Sequence, residues 1–525
     1  MKKIRTSIFL AVVIAMLITS LSFAQYSGLN WGSAYQLVNM GTGNAQITIT
    51  YYTSTGALAK TPRTYTDVVP GSSRKVILAR DDTDLSGGNY SIVISSDQPI
   101  GSIANIQLYP PASTNPQPPF ASYSGAASGG TTVYVPNAMY NYYNYYTEMF
   151  IQNAGTAAAT NITINYYPTT VNGTVMGAQL LNDPVVGGTS GVASLALGAS
   201  MTVSQQAKTA LGGTPGRFLG LAVITSDQPI VVAVNEQYPT GYKLMEFNSF
   251  TSTDVSTSVS VPIHMKGYYG YYDSLTIANT NMTTPACVQL VYTPSGTLNT
   301  VITGTVSPVT VKFAIPAHSM LNRYDGPTPG AAQTDLQGAA ANYSRFFGSV
   351  QVTSIQDVGL GCTTGTSSGI VVVQNVESTA APDDQAGSFN GIPISAATTT
   401  IINPELYSDF YGYYSSTTVQ NTTATAGSCT WTYTSDGVES SVKNTTKAYT
   451  HVLPANGIIN IYEGRKGGAA ARGDINTDAL WQAGGFGRFN GSVTIACTQP
   501  VVGFADLEVD INAKDSMYTY NLFNQ

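Results

Sequence analysis

Charge is scarce in this chain of 525 residues: Asp, Glu, Lys and Arg together make up 10%, beside three histidines, three tryptophans and four cysteines. Nucleic acid is a poor partner for such a surface, because phosphate neutralisation needs clustered Lys and Arg and no polybasic tract occurs. The histidines, His264, His318 and His451, fall in unrelated places and read as surface or turn residues, not as a convergent set. Helical periodicity is nearly absent, and no apolar run reaches the length of a membrane-spanning helix. Residues 365–369 match G-x-S-x-G around Ser367, but a strand-like stretch follows where a nucleophile elbow needs a helix. Asp81, Asp82 and Asp84 crowd one loop with no second acidic cluster nearby. Acid, base and nucleophile cannot be assembled, so the chain is expected to be no enzyme and to use no cofactor.

What is present starts at the N-terminus. Lys2, Lys3 and Arg5 precede an apolar run from Ile8 to Ile18 and then Ser22-Phe23-Ala24, which reads as a secretory leader, residues 1–24, cut after Ala24. No cysteine follows the cut, so no lipid anchor is expected. The mature chain is expected to be secreted or held at a cell surface, with no integral membrane segment. Its surface, rich in hydroxyls and amides and poor in charge, suits packing against other subunits or saccharides.

The chain also repeats itself. "YNYYNYYTEMFIQN" ends at Asn153, "GYYGYYDSLTIAN" at Asn279 and "DFYGYYSSTTVQN" at Asn421. Aligned on that asparagine, Tyr142, Tyr268 and Phe410 coincide, as do Tyr145, Tyr271 and Tyr413, and Tyr146, Tyr272 and Tyr414. An alternating Thr-rich stretch follows each time, then a turn and strand, then a strand such as "SIVISSDQPI" or "LAVITSDQPI", then another. Period-two alternation bounded by Gly, Pro, Asn and Asp predicts half-buried strands. Four copies emerge: residues 25–112, 131–250, 257–379 and 390–525, with linkers at 113–130 and 380–389. The expected fold is all-β, four tandem immunoglobulin-like antiparallel β-sandwich domains. The first copy is short: where the others carry "TTVYVPNAM" or "SVSVPIHM", it has only residues 25–30. That leaves an edge which a strand of another chain could fill.

Four further features bear on function. Cys287, Cys362, Cys429 and Cys497 occupy matching places in copies three and four, and this registry predicts Cys287–Cys362 and Cys429–Cys497 disulfides. Asp474, Asn476 and Asp478 alternate like the start of a calcium loop, but Ala479 replaces the expected glycine and no glutamate closes it. The Arg472-Gly473-Asp474 tripeptide is too short to carry weight. Asn161, Asn172, Asn281, Asn421 and Asn444 head glycosylation sequons.

The tyrosine clusters admit two readings: rings that close a sandwich end or wedge adjacent domains, or a stacking platform formed by Tyr142, Tyr145, Tyr146, Tyr268, Tyr271, Tyr272, Tyr413 and Tyr414. The layout resembles exported prokaryotic proteins built from tandem immunoglobulin-like repeats, as in surface layers, sheaths, filaments and adhesins. That resemblance implies a non-enzymatic structural protein assembling with itself or with other cell-surface components, or a carbohydrate-binding adhesin.

Overall fold

The computed structural model describes residues 12–18, 30–85, 87–109, 119–188, 192–238, 243–296, 299–326, 335–336, 341–362, 368–378, 385–437, 439–464, 473–481, 488–509 and 517–525. Much of both expected linkers, 113–118 and 380–384, and residues 365–367 of the Ser367 motif lie outside these residues. The described chain is nearly all strand, paired antiparallel. No helix among the described residues is long and apolar enough to cross a membrane.

Local sequence explains the strands. In Ala45–Tyr52 every second residue, Ala45, Ile47, Ile49 and Tyr51, is buried, while Gln46 and its alternates face out. The same holds for Ile162–Pro168 and for Gly427–Ser435, where Cys429, Trp431 and Tyr433 point inward. The outward threonines meet across strands, Thr163 with Thr225 at 2.8 Å and Thr434 with Thr446 at 3.3 Å.

One eight-strand order recurs four times. In the second repeat the strands are Gly130–Tyr140, Tyr146–Asn153, Ile162–Pro168, Leu180–Val186 and Ser200–Ser204, then Phe218–Tyr238, which serves as sixth and seventh, and Lys243–Asn248 as eighth. One sheet runs fourth-third-sixth-first, the other fifth-second-seventh-eighth, and the long strand passes through both. An immunoglobulin sandwich shares the third–sixth and second–fifth neighbours but keeps its seventh strand beside the sixth. Here the seventh lies in the opposite sheet. In the first repeat the first strand is Val12–Ile18, paired with Tyr90–Ser96 from Val12↔Ser96 to Ile18↔Tyr90. The segment that reads as a leader thus occupies the place that sequence comparison leaves empty.

The landmark asparagines are the pins of each repeat. Asn153 is fully buried; its side-chain amide donates to the carbonyls of Ala157 (2.8 Å) and Leu195 (2.9 Å), and its Oδ1 accepts from Gly155 N–H (2.9 Å). Asn39, Asn279 and Asn421 repeat the pattern, tying the loop after the second strand to the turn before the fifth. Both expected disulfides are formed, Cys287–Cys362 and Cys429–Cys497, closing 75 and 68 residues.

The repeats are not beads on a string. Phe150 and Ala233 of the second repeat belong to the first repeat's core, Val371 and Val373 of the third to the second's, Phe504 of the fourth to the third's, and Ile103 and Phe120 of the first to the fourth's. The cycle closes. The eighth strands, Phe120–Ser124, Lys243–Asn248, Ala386–Asn390 and Met517–Asn521, meet at its centre. There the Asn248 amide donates to Ser124 O (2.6 Å), Asn390 to Asn248 O (2.8 Å) and Asn521 to Asn390 O (2.8 Å). Ser124 Oγ completes the circuit to Asn521 O at 3.5 Å.

Replacing Asn153 with alanine removes three hydrogen bonds and leaves buried carbonyls unpaired. The expected loss of unfolding free energy is about 3 kcal/mol, read from a denaturant titration of the intact chain.

Candidate functional site

The tyrosine segments are hairpins joining the first strand of one sheet to the second strand of the other. In the second repeat, Tyr142 and Tyr145 pair through Tyr142 N–H to Tyr145 O (3.1 Å) and the reverse (2.9 Å), leaving Tyr143-Asn144 as a two-residue turn. Both turn residues have positive φ, 50° and 68°; Tyr269-Gly270 (49° and 87°) and Tyr411-Gly412 (51° and 83°) match them. A turn with positive φ at both positions follows the twist of the flanking strands and favours Asn and Gly. A tyrosine at its first position costs on the order of 1–2 kcal/mol, yet all three turns carry one.

These turn tyrosines, which alignment of the neighbouring rings passes over, are the exposed ones: Tyr143 62%, Tyr269 61% and Tyr411 62%. Each stands edge-on to the ring before it, Tyr142 (4.9 Å), Tyr268 (4.8 Å) and Phe410 (4.8 Å). Arg217 lies over Tyr143 at 4.7 Å and Arg488 over Tyr411 at 4.8 Å. The signal for them is the dipeptide at the turn, Tyr-Asn or Tyr-Gly, between two alternating runs.

The eight platform candidates are placed differently. Tyr145 stacks on Tyr238 at 5.0 Å, and its hydroxyl donates to Glu377 of the third repeat at 3.0 Å. Lys243 joins that carboxylate at 3.2 Å. Tyr271, buried, reaches Gln385 and, at 3.2 Å, Glu508 of the fourth repeat. Tyr413 stacks with Phe120 of the first repeat and with Tyr518. This position is the wedge between repeats. Trp31 aligns with it, and its side chain lies outside the description. Tyr146 and Tyr414 bond back to Asn141 (3.2 Å) and Asp409 (3.0 Å) at their own hairpins, and Tyr272 holds the matching place, half-buried. Tyr142 is half-buried, its phenol pushed up to about 12 by burial and the neighbouring Tyr143. Tyr268 packs on Phe347 at 4.4 Å.

Other residues singled out in the sequence end in internal contacts. Contrary to expectation, His264 is fully buried, 2.9 Å from Asp325 and 3.9 Å from Asp273. Burial lowers its pKa, but the hydrogen bond to Asp325 and both carboxylates outweigh that and hold it above the ordinary value. His318 lies 4.5 Å from the Tyr167 ring, and His451 bonds Asp474 at 2.9 Å. The alternating Asp474, Asn476 and Asp478 diverge. Asp474 meets Tyr433 and His451, Asn476 meets Ser408 and the Glu463 carbonyl, and Asp478 meets Lys447 and Tyr449. Among the described residues no three His, Cys, Asp or Glu groups are placed to hold a metal. Of the sequon asparagines, Asn421 is buried.

A cavity of about 410 Å³ opens at the axis, lined by residues of all four repeats, among them Ser124, Glu246, Asn248, Asn390 and Asn521. Carboxyls at the joints are held neutral: burial pushes Glu148 and Glu236 each up to about 8. Glu236 faces the amide of Asn375 across the joint between repeats two and three.

No protein-family model and no curated protein matches the chain. Among solved structures, a glycoside hydrolase of family 32 from Bifidobacterium adolescentis aligns at 8% identity over 94% of this chain and 98% of that one. Its TM-score is 0.15.

Because the Glu236 pKa is raised on folding, its contribution to stability is complete below about pH 4.5 and is lost as pH rises through about 8. Thermal melts are expected to show a midpoint falling steadily from pH 5 to pH 9. Glu236→Gln should make that fall shallower, the amide remaining neutral throughout while Glu148 and other buried carboxyls keep the rest of it.

Proposed function

We propose that the chain is a non-enzymatic exported protein, four tandem β-sandwich repeats closed into one ring, that serves as a structural component of an extracellular layer, sheath or filament. The observation that carries this reading is the interlocking of each repeat's core with the next. Burial of that kind gives a stiff body whose relative domain motions are suppressed, unlike the smaller and more polar interfaces of jointed chains. The two disulfides and the abundance of uncharged polar surface suit an oxidising, extracellular setting. His264, His451, Asp474 and Asp478 spend their hydrogen bonds within their own repeats, and Glu377 and Glu236 spend theirs at the joints.

A second reading rests on one observation, the exposure of Tyr143, Tyr269 and Tyr411 at equivalent turns despite the backbone cost. Exposed aromatic faces repeated around a ring suit stacking on the sugar rings of a surface glycan. In that reading the ring is an adhesin and the tips are its contacts.

Electron microscopy of intact source cells with labelled antibody is expected to show the protein in an ordered surface array or filament. Free single particles in the medium would overturn the structural reading. Glycan binding by purified protein, lost at least tenfold in the Tyr143→Ala, Tyr269→Ala, Tyr411→Ala triple variant, would establish the adhesin instead.

A further inference from the structure

We propose that the edge of the strand Tyr90–Ser96, at the joint between the first and second repeats, is an acceptor slot for an extended strand of another exported protein. The inference deepens the structural reading above and rests on removal of residues 1–24.

In repeats two to four the sixth strand is covered by the chain's own first strand, Gly130–Tyr140, Ser258–Tyr268 or Thr398–Ser408. In the first repeat its cover is Val12–Ile18, inside the segment that reads as a leader. Cutting after Ala24 takes that strand away. Seven residues, Tyr90 to Ser96, then lose an antiparallel partner, and an open edge recruits another strand.

The first strand also lines the joint with the next repeat, and there the protein's own hydrogen bonds describe the missing occupant. At the other joints polar side chains meet across the gap. Thr276 donates to Asn137 at 2.7 Å, Ser260 to Gln420 at 2.8 Å, Asn105 to Glu405 at 2.7 Å, and Asn375 to Glu236. Asn235 holds the place of Asn105 and Asn375 in register. Asn235 is 0% exposed, yet among the described residues neither its amide nitrogen nor its amide oxygen has a partner. Buried polar atoms left unpaired are costly. The sequence Val12 to Ile18 holds no side chain able to hydrogen-bond. A leader run can cover the backbone edge but cannot satisfy Asn235.

The three resident first strands define what can. "TTVYVPN" (131–137), "SVSVPIH" (258–264) and "TTIINPE" (399–405) all carry hydroxyl and β-branched residues, then proline, then end on an amide, imidazole or carboxylate. A second copy of this chain is a poor donor. Its strands Gly130–Tyr140, Ser258–Tyr268 and Thr398–Ser408 are each tied by a two-residue turn to the second strand of the same repeat, and releasing one opens that sandwich. The occupant is therefore an extended segment of a separate polypeptide with this pattern, adding to the sheet edge by main-chain bonds.

The test uses chain 25–525 and a synthetic peptide of residues 131–140, TTVYVPNAMY, as the stand-in strand. Expected are one-to-one binding, slowed amide exchange across Ser91–Ser96 and about tenfold weaker binding to Asn235→Ala. A second chain, with the same ten residues fused through a flexible linker ahead of Gln25, should melt higher and bind added peptide at least tenfold more weakly. Should 25–525 fail to fold, recovery of a soluble ring by the fused strand reports the same dependence; equal failure of both overturns it. Absence of peptide binding, or equal binding by the fused chain, overturns the slot. Polymerisation of 25–525 alone, abolished by the fused strand, overturns the separate donor in favour of a second copy. N-terminal sequencing of the exported protein, expected to begin at Gln25, checks the leader independently, and the microscopy above checks the structural role.

Discussion

Closure around the axis is the constraint from which the remaining architecture follows. Once four eighth strands meet at the centre, with Asn248, Asn390 and Asn521 each handing an amide to the neighbouring carbonyl, each second sheet is sandwiched twice. One face meets its own partner sheet and the other meets the preceding repeat. Tyr146–Asn153 and Tyr413–Asn421 are accordingly buried almost throughout their length, not on alternate residues. Polar groups on those outer faces are buried by the neighbouring repeat, and the Glu236 carboxyl meets the Asn375 amide there.

That double burial also separates what was legible in the sequence from what was not. Third strands such as Ala45–Tyr52 have one wet face, so their alternation reads directly as strand and even gives the buried side. The landmark asparagines and the paired cysteines repeat because the same loop is pinned in each copy, and repetition made them visible. The ring was invisible. Its inner faces are built from Glu148, Gln152, Asn235 and Asp506, which in a single sequence look like a solvated surface. His264 misled for the same reason: its two carboxylate partners are distant in sequence, Asp273 on the strand Tyr271–Asn279 and Asp325 just after Met320–Tyr324, and no local pattern announces them.

The tyrosine motif divides its labour by position, and the division explains why one reading of it could not suffice. The residue after the turn crosses to the next repeat, as Tyr145 does to Glu377. The one following it folds back on its own hairpin, as Tyr414 does to Asp409. The turn residue itself faces water. Packing and recognition are therefore not rival accounts of the segment. They apply to rings a few residues apart, and spacing along the hairpin decides which ring does which.

The uneven distribution of the disulfides has a mechanical consequence. Cys287–Cys362 and Cys429–Cys497 lock 75 and 68 residues out of the extensible length of the third and fourth repeats. At about 3.4 Å per extended residue, each bond withholds roughly 230–260 Å of contour when the chain is pulled from its ends. Under load the first half of the ring yields more length than the second, so the two halves differ in compliance.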